Sequence, residues 1–208
     1  SLAWKLNGTV EYVLEGNINY TGAIISWLCN DVKLISSASE SGELAKRADK
    51  EDTTYLVPAF TGLGAPYWNS NARASFTGMS RTTGKAELTK AALEAIAYQI
   101  YDVAQALERV SGHRIKALRA DGGPTKNEYL MQFQADMLKA PVMASSLEEL
   151  SGAGAAFAAG KAAGILDMKT AVSNIGRKAY EPMMPDEMRQ KRLRGWEKAI
   201  EAVLSQGT

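Results

Sequence analysis

The stretch that decides the fold is residues 115–144, IKALRADGGPTKNEYLMQFQADMLKAPVMA. It predicts a strand over residues 115–120 and a tight turn at residues 121–124, where two glycines and a proline forbid regular structure. A helix follows that places Leu130, Phe133 and Met137 on one face, and a second strand covers residues 142–144. With the helix predicted near the end of the chain, the order is strand, helix, strand, helix. This order is typical of α/β architecture, in one domain or one lobe of a larger protein.

The rest of the chain fits this plan. The longest helix is predicted over residues 85–111, with an apolar stripe and Gly112 as its natural end. An alternating pattern over residues 2–14, with a turn at Asn7-Gly8, predicts a β-hairpin. Its open edge implies sheet partners upstream in a longer parent chain or among later strands here. Further helices and one strand are predicted over residues 20–28, 43–48, 55–57 and 186–204.

Several segments have two interpretations. Residues 58–68 are rich in aromatic residues, and we expect a packed loop rather than a ligand contact, although Tyr67 and Trp68 could line a cleft entrance. The Gly/Ala run at residues 151–163 would let backbone or ligand approach closely. Residues 167–185 are the best candidate for a boundary before the last helix. We expect the basic run at residues 189–194 to be a solvated helix face.

Composition excludes several classes of function. The 208 residues carry 24 Lys+Arg and 23 Asp+Glu, a formal charge of +1, which argues against a nucleic-acid or membrane-surface binder. We find neither a long apolar run nor a secretory signal, so we expect a cytoplasmic protein. The single cysteine, Cys29, is expected to be a small core residue, and the single histidine, His113, a solvated loop residue. A Cys/His metal cluster and Ser-His or Cys-His catalysis are therefore not expected.

The turn at residues 121–127, DGGPTKN, is the strongest candidate for a ligand site. It lies at the carboxyl end of a strand and the start of a helix, where free N–H groups favour polar or anionic ligands. Two glycines leave room for a nucleotide, and an Asn127 amide in the first helical turn could pair with a purine edge. The equally weighted alternative is that Asp121 caps the helix and the glycines only form the turn.

A second motif points to a family. Ala74, Phe76, Gly78 and Met79, then seven residues, then Glu87-Leu88, two residues and AALE at 91–94 closely resemble a signature of the FGGY family of carbohydrate kinases. Three other segments resemble the glycerol kinases of that family: YVLEG at 12–16, VPAFTGLGAPYW at 57–68 and LMQFQ at 130–134. The resemblance covers nearly all of the chain and is weakest after about residue 166.

The resemblance implies the C-terminal, nucleotide-binding lobe of an actin-like ATPase, with a ribonuclease-H-type mixed sheet flanked by helices. Residues 1–166 would form the lobe and residues 167–208 its terminal helical segment. ATP and magnesium would be the cofactors, with ATP in the cleft between two lobes. Ser26 stands where glycerol kinases commonly have Gln, so a water-mediated contact is expected there. The implied cofactor-binding residues are Gly22, Ser26, Gly122, Gly123 and Asn127.

The same resemblance implies what this chain does not supply. The family's general base, its phosphate-binding turns and most polyol contacts lie before this lobe, so we expect no catalytic residue and no metal ligand here. Asp121 and Glu94 stay unassigned, and we expect the isolated chain to be inactive.

The substrate and the activity stay open at this point. Glycerol is the first choice of substrate, with xylulose or another sugar or sugar acid open, and the missing lobe would bind most of it. A non-enzymatic nucleotide sensor is the alternative function, and a ligand-free helical interaction domain is the least favoured. The resemblance also implies a homo-oligomer.

Overall fold

A computed structural model describes residues 1–6 and 8–206. Within these ranges the chain forms seven strands, seven α-helices and one short 3-10 helix, η1. In chain order they are β1 (Leu2–Leu6), β2 (Thr9–Tyr12), α1 (Gly22–Asn30), α2 (Ala38–Arg47), β3 (Tyr55–Val57), β4 (Ser75–Thr77), α3 (Lys85–Ser111), β5 (Leu118–Ala120), η1 (Gly123–Lys126), α4 (Glu128–Leu138), β6 (Val142–Ser145), α5 (Leu150–Ala162), α6 (Met168–Ser173), β7 (Arg177–Tyr180) and α7 (Asp186–Gln206). None of these helices is both long and apolar enough to cross a membrane.

The central sheet has three strands in the order β5-β6-β7. β5 and β6 are parallel and joined by α4, which is the predicted strand, helix, strand unit. β7 pairs antiparallel to β6, with Val142 opposite Tyr180, so the sheet is mixed. The prediction of an α/β fold with a mixed sheet flanked by helices is confirmed, although β5 begins at Leu118, three residues later than expected.

Helix α3 is the centre of the hydrophobic core. It spans Lys85–Ser111, the predicted range, and ends at Gly112 in the left-handed conformation. The apolar stripe predicted one buried face, but the eight residues 91–98 are all buried. The reason is that α1, α2, α4 and β3 contact α3 from several sides, and Trp196 of α7 stacks on Tyr98 with ring centroids 5.1 Å apart.

The end of the chain is more integrated than a boundary at residues 167–185 suggested. That segment holds α6 and β7, and β7 completes the central sheet. Helix α7 then buries Leu193, Trp196 and Ile200 in the core. The predicted terminal helical segment therefore also contains a strand.

The prediction that the basic run on α7 is a solvated face is wrong in part. Arg189 is only 8% exposed, and its Nε donates to the carbonyl oxygens of Asp136 and Met137 at 3.1 and 2.9 Å. These carbonyls belong to the last turn of α4, where helix carbonyls lack intrahelical partners. Arg192 is paired with the buried Glu94. Two of the basic side chains thus bind α7 to the core.

Two other predictions are revised in part: the role of the Gly/Ala run and the sheet partners of the N-terminal hairpin. The Gly/Ala run forms the mostly exposed helix α5, and the predicted close approach holds for the buried Gly160, where a Cβ would lie 3.1 Å from Leu166 Cβ, but not for Gly152 or Gly154, where it would meet nothing within 4 Å. The hairpin is confirmed by the antiparallel pairing of β1 and β2, which form a separate two-stranded sheet, so no later described strand completes it. Asn7 of its predicted turn lies outside the described residues.

Candidate functional site

A groove of about 790 Å³ opens between α1, α2, η1 and the first turn of α4. Its volume lies in the range of about 300–1,000 Å³ that is typical of small-molecule sites. One wall is apolar, and small residues form much of the rest. Its lining includes Gly22, Ile25, Ser26, Cys29, Ser41, Gly42, Leu93, Ile96, Gly123 and Asn127.

The two glycines of the predicted turn have different roles. Gly122 has φ 85° and ψ 177° and precedes η1, a backbone conformation that is open almost only to glycine. It does not line the groove. Gly123 does, and a Cβ added there would meet no atom within 4 Å. Gly122 therefore shapes the turn, whereas Gly123 leaves space where a ligand would lie.

Asn127 is the N-cap of α4, one position before the first helical turn where the sequence placed it. Its Oδ1 accepts a hydrogen bond from the Leu130 N–H at 3.0 Å, and its Nδ2 donates to Ser41 Oγ at 3.1 Å. The capping residue is therefore Asn127 and not Asp121. An Asn amide has two N–H donors and two oxygen lone pairs, so one of each stays available to a ligand.

Helix α1 supplies the two other residues that the sequence suggested. Gly22 is the first residue of α1, and a Cβ there would touch Pro124 Cγ at 4.0 Å, so the start of α1 packs close to η1. Ser26 lies one turn later and is exposed on the groove. Four of the five proposed nucleotide residues thus line one groove, and only Gly122 lies behind it.

The groove wall formed by α2 and the residues just before it was not predicted from the sequence. Ser36, which precedes α2, and Ser39, Ser41 and Gly42 within it line the groove. The available signal was the serine-rich run at residues 36–41, because serine hydroxyls and a glycine are poor helix-interior choices unless they face something specific. Cys29 packs against the core as expected, but it is partly exposed and also lines the groove.

The charges at the groove rim are balanced. Lys46 Nζ lies 2.8 Å from Glu43 Oε1, and this contact lowers the pKa of the Glu43 carboxyl and raises that of Lys46. Lys126 is paired with Glu148. All four side chains are exposed, so each pair contributes little to stability. The rim therefore has no strong field of one sign.

A buried carboxylate lies behind the groove. Tyr129 lines the groove, and its hydroxyl donates to Glu94 Oε1 at 2.6 Å, while Arg192 Nη1 lies 3.3 Å from Glu94 Oε2. Glu94 is 2% exposed, and burial raises the pKa of its carboxyl, with Arg192 opposing that rise. This carboxylate does not line the groove and ties α3, α4 and α7 together.

The groove combines apolar side chains, an amide and open space at a helix start. Ile25, Leu93 and Ile96 offer an apolar wall, Asn127 offers a donor and an acceptor, and Gly123 offers open space. A metal does not fit in the same way. Residues 1–6 and 8–206 contain no group of three His, Cys, Asp or Glu side chains that could hold a metal ion.

The loop at residues 58–68 is packed, as predicted. Phe60 lies between Tyr20 and Trp27, with ring centroids 5.1 and 4.9 Å away, and Tyr67 donates to Asp102 at 2.8 Å. Trp68 is 79% exposed. None of these loop residues lines the groove.

Comparison with known proteins agrees with this geometry. A family model, the "FGGY family of carbohydrate kinases, C-terminal domain", matches residues 5–163. A glycerol kinase of Caldanaerobacter subterraneus subsp. tengcongensis is 42% identical over 207 residues, covering 98% of this chain and 41% of that protein.

Solved structures of related kinases are also similar to this chain. A crystal structure of Plasmodium falciparum glycerol kinase with ADP superposes with a TM-score of 0.80 at 35% identity, covering 88% of this chain and 37% of that one. A ligand-bound xylulose kinase from Lactobacillus acidophilus, at 24% identity and a TM-score of 0.71, shares the fold and covers 87% of this chain and 37% of that one.

The chain thus spans about two fifths of the length of the kinases that it matches. The family match covers most of the chain and includes every residue that forms the groove. The chain belongs to the FGGY family of carbohydrate kinases, whose C-terminal domain it matches.

Proposed function

We propose that this domain is the ATP-binding part of a carbohydrate kinase that transfers the γ-phosphoryl group of ATP to a hydroxyl of glycerol. The observation that carries the proposal is the groove at the start of α4, where the open Gly123 and the partly free Asn127 amide face an apolar wall. The similarity to glycerol kinases, one of them crystallised with ADP, supports a nucleotide as its ligand.

The proposed binding mode assigns a task to each residue. Ile25, with the more deeply buried Leu93 and Ile96 beneath it, would form the apolar floor of the base site. Asn127 would donate to and accept from its polar edge, and Gly22 and Gly123 would admit the sugar closely. Ser26 is short and exposed, so it would act through a water molecule. Magnesium would bind the phosphates of ATP, which is its usual place in phosphoryl transfer.

We assign the groove residues to binding and orientation, because the two carboxylates that line the groove, Glu43 and Glu128, are paired with Lys46 and Lys178. Asp121 is exposed and does not line the groove, and Glu94 is buried against Arg192. Phosphoryl transfer needs positioned phosphates and an oriented hydroxyl as well as a nucleoside site. We therefore propose that the other part of the kinase supplies the base and most substrate contacts, and that this chain alone is inactive.

A rescue experiment tests the proposal. The chain is mixed with the separately expressed N-terminal lobe of a related glycerol kinase, and ADP release is followed with glycerol, xylulose and gluconate as substrates. We expect no turnover by either part alone and glycerol-dependent turnover by the mixture. Asn127→Ala should raise the KM for ATP at least about tenfold and leave the KM for glycerol within about twofold. Ser173→Ala, at an exposed serine of α6 outside the groove, is the matched control and should change neither.

Other outcomes would change the proposal. Turnover with xylulose or gluconate only would replace glycerol as the substrate. Nucleotide binding without turnover of any alcohol would favour the non-enzymatic sensor. The homo-oligomer and the division at residues 166/167 stay predictions, which light scattering and limited proteolysis would test.

A further inference from the structure

Helix α2 reaches the groove through one contact that connects it to the start of α4. Ser41 is 1% exposed and lines the groove, and its Oγ accepts a hydrogen bond from Asn127 Nδ2 at 3.1 Å. The two residues are 86 positions apart in the sequence. Helix α2 also packs against α1, α3 and α4, so Ser41 stands on an element held from three sides.

The hydrogen bonds determine which way the Asn127 amide points. The Ser41 hydroxyl donates its only hydrogen to the carbonyl oxygen of Ala38 at 2.6 Å, so toward Asn127 it can act only as an acceptor. It therefore requires the amide nitrogen on its side. Independently, the Leu130 N–H requires the amide oxygen on the other side. Both requirements select the same orientation of the amide.

Gly42 makes this orientation sterically possible. A Cβ added at Gly42 would lie 3.1 Å from Asn127 Oδ1 and 3.3 Å from Nδ2, closer than ordinary van der Waals contact. Any larger side chain at this position would therefore push against the amide. Ser41 and Gly42 together hold one side of Asn127, while the groove is open on the other.

We infer that Ser41, assisted by Gly42, is a positioning residue that presents the Asn127 amide to the groove with one free N–H and one free lone pair, and so selects adenine over guanine. The inference rests on the proposed function, because it assumes that a purine nucleotide occupies the groove. The edge of adenine that carries N7 and the 6-amino group offers one acceptor and one donor. The same edge of guanine carries N7 and O6 and offers two acceptors. An amide fixed in this way pairs fully with adenine and only partly with guanine.

The test measures the affinities of ADP and GDP for the 208-residue chain by titration calorimetry. For the unaltered chain we expect ADP to bind at least about tenfold more tightly than GDP. Ser41→Ala leaves the amide held only at its oxygen, by the Leu130 N–H, so its plane can tilt away from the groove, and we expect the ratio to fall below about threefold. Gly42→Ala should have the same effect by displacing the amide. This variant adds a better helix former, so it should fold even if Ser41→Ala does not.

A matched control and a ligand-free signal separate positioning from general damage. Ser173 of α6 makes the same kind of helical bond, from its hydroxyl to the carbonyl oxygen of Thr170, but does not line the groove, so Ser173→Ala should keep the ADP/GDP ratio. In ¹⁵N spectra without nucleotide, Ser41→Ala should shift the side-chain NH₂ signals of Asn127 while the Leu130 amide stays protected, because the cap remains.

The outcomes distinguish this inference from the proposed function. ADP selectivity that survives both Ser41→Ala and Gly42→Ala overturns the role of α2 and leaves the nucleotide site standing. Unchanged Asn127 NH₂ signals in Ser41→Ala overturn it without any ligand. If the unaltered chain binds neither ADP nor GDP, the proposed function and the inference fail together.

Discussion

The groove and the junction of α3 with α7 use polar groups in opposite ways. At the junction, Asp102 Oδ2 accepts from both Tyr67 Oη at 2.8 Å and Trp196 Nε1 at 2.7 Å, and large rings fill the space around it. In the groove, Asn127 keeps a free donor and a free acceptor, and Gly123 faces open space. A carboxylate whose hydrogen bonds are made within the protein stabilises the fold, whereas an amide with spare bonding capacity can bind a ligand.

We expect the largest loss of stability from substitutions at the junction of α3 with α7. Trp196→Ala removes the stacking on Tyr98 and the hydrogen bond to Asp102, and we expect the free energy of unfolding to fall by about 3–5 kcal/mol. Urea unfolding followed by circular dichroism measures it. Trp68→Ala, at a largely exposed tryptophan, should change stability by less than about 0.5 kcal/mol. Equal effects of the two variants would contradict the contrast between regions.

The junction should also respond to pH. Burial raises the pKa of Asp102 from 3.8 to about 6, partly opposed by the hydrogen bonds from Trp196 and Tyr67. Between about pH 4 and 6 the folded protein therefore holds a proton that the unfolded chain has lost, so this group's contribution to stability falls as the pH rises through that window.

The matched variant isolates this contribution. Asp102→Asn keeps an oxygen acceptor and cannot titrate. Relative to the unaltered chain, its unfolding free energy should rise by about 2–3 kcal/mol from pH 4 to pH 6.5. Parallel stability curves over that range would show that Asp102 titrates as an ordinary carboxyl.

The two adjacent glycines, Gly122 and Gly123, test the different roles assigned to them next to the groove. Gly122→Ala forces a side chain into a conformation with φ 85°, and we expect a stability loss of about 1–3 kcal/mol. Gly123→Ala has open space around it and should change stability by less than about 0.5 kcal/mol. Thermal unfolding of the two variants side by side measures the difference, and a larger loss at Gly123 would contradict the assigned roles.

Much of the fold could be predicted from local sequence patterns. The apolar stripe and Gly112 defined α3, and the spacing of Leu130, Phe133 and Met137 placed α4, because these patterns act over a few residues. The predictions that failed concerned side chains whose partners are distant in the sequence. Arg189 was assigned to solvent because nothing nearby in sequence reveals that it meets the end of α4.

In the candidate site, too, some residues could be predicted from the sequence and others only from long-range contacts. Glycines in a turn after a strand pointed to Gly122 and Gly123, and the family resemblance added Gly22 and Ser26. The serine-rich run at residues 36–41 could have drawn attention to α2, but the role of Ser41 itself rests on a hydrogen bond across 86 positions, which local patterns do not reveal. Which glycine shapes the turn and which faces the groove also required the backbone angles.

The most direct test of the nucleotide site is an amide NMR titration of this chain with MgADP, because it locates weak binding, roughly millimolar for an incomplete site. The proposal predicts shifts clustered at Ile25, Ser26, Gly123 and Asn127, with little change at Asp102 and Trp196. It also predicts that Gly123→Ala loses most of the response while remaining folded. Saturating MgADP that leaves the groove signals unmoved, or that shifts mainly the α3–α7 junction, would contradict the assignment of this groove to a nucleotide.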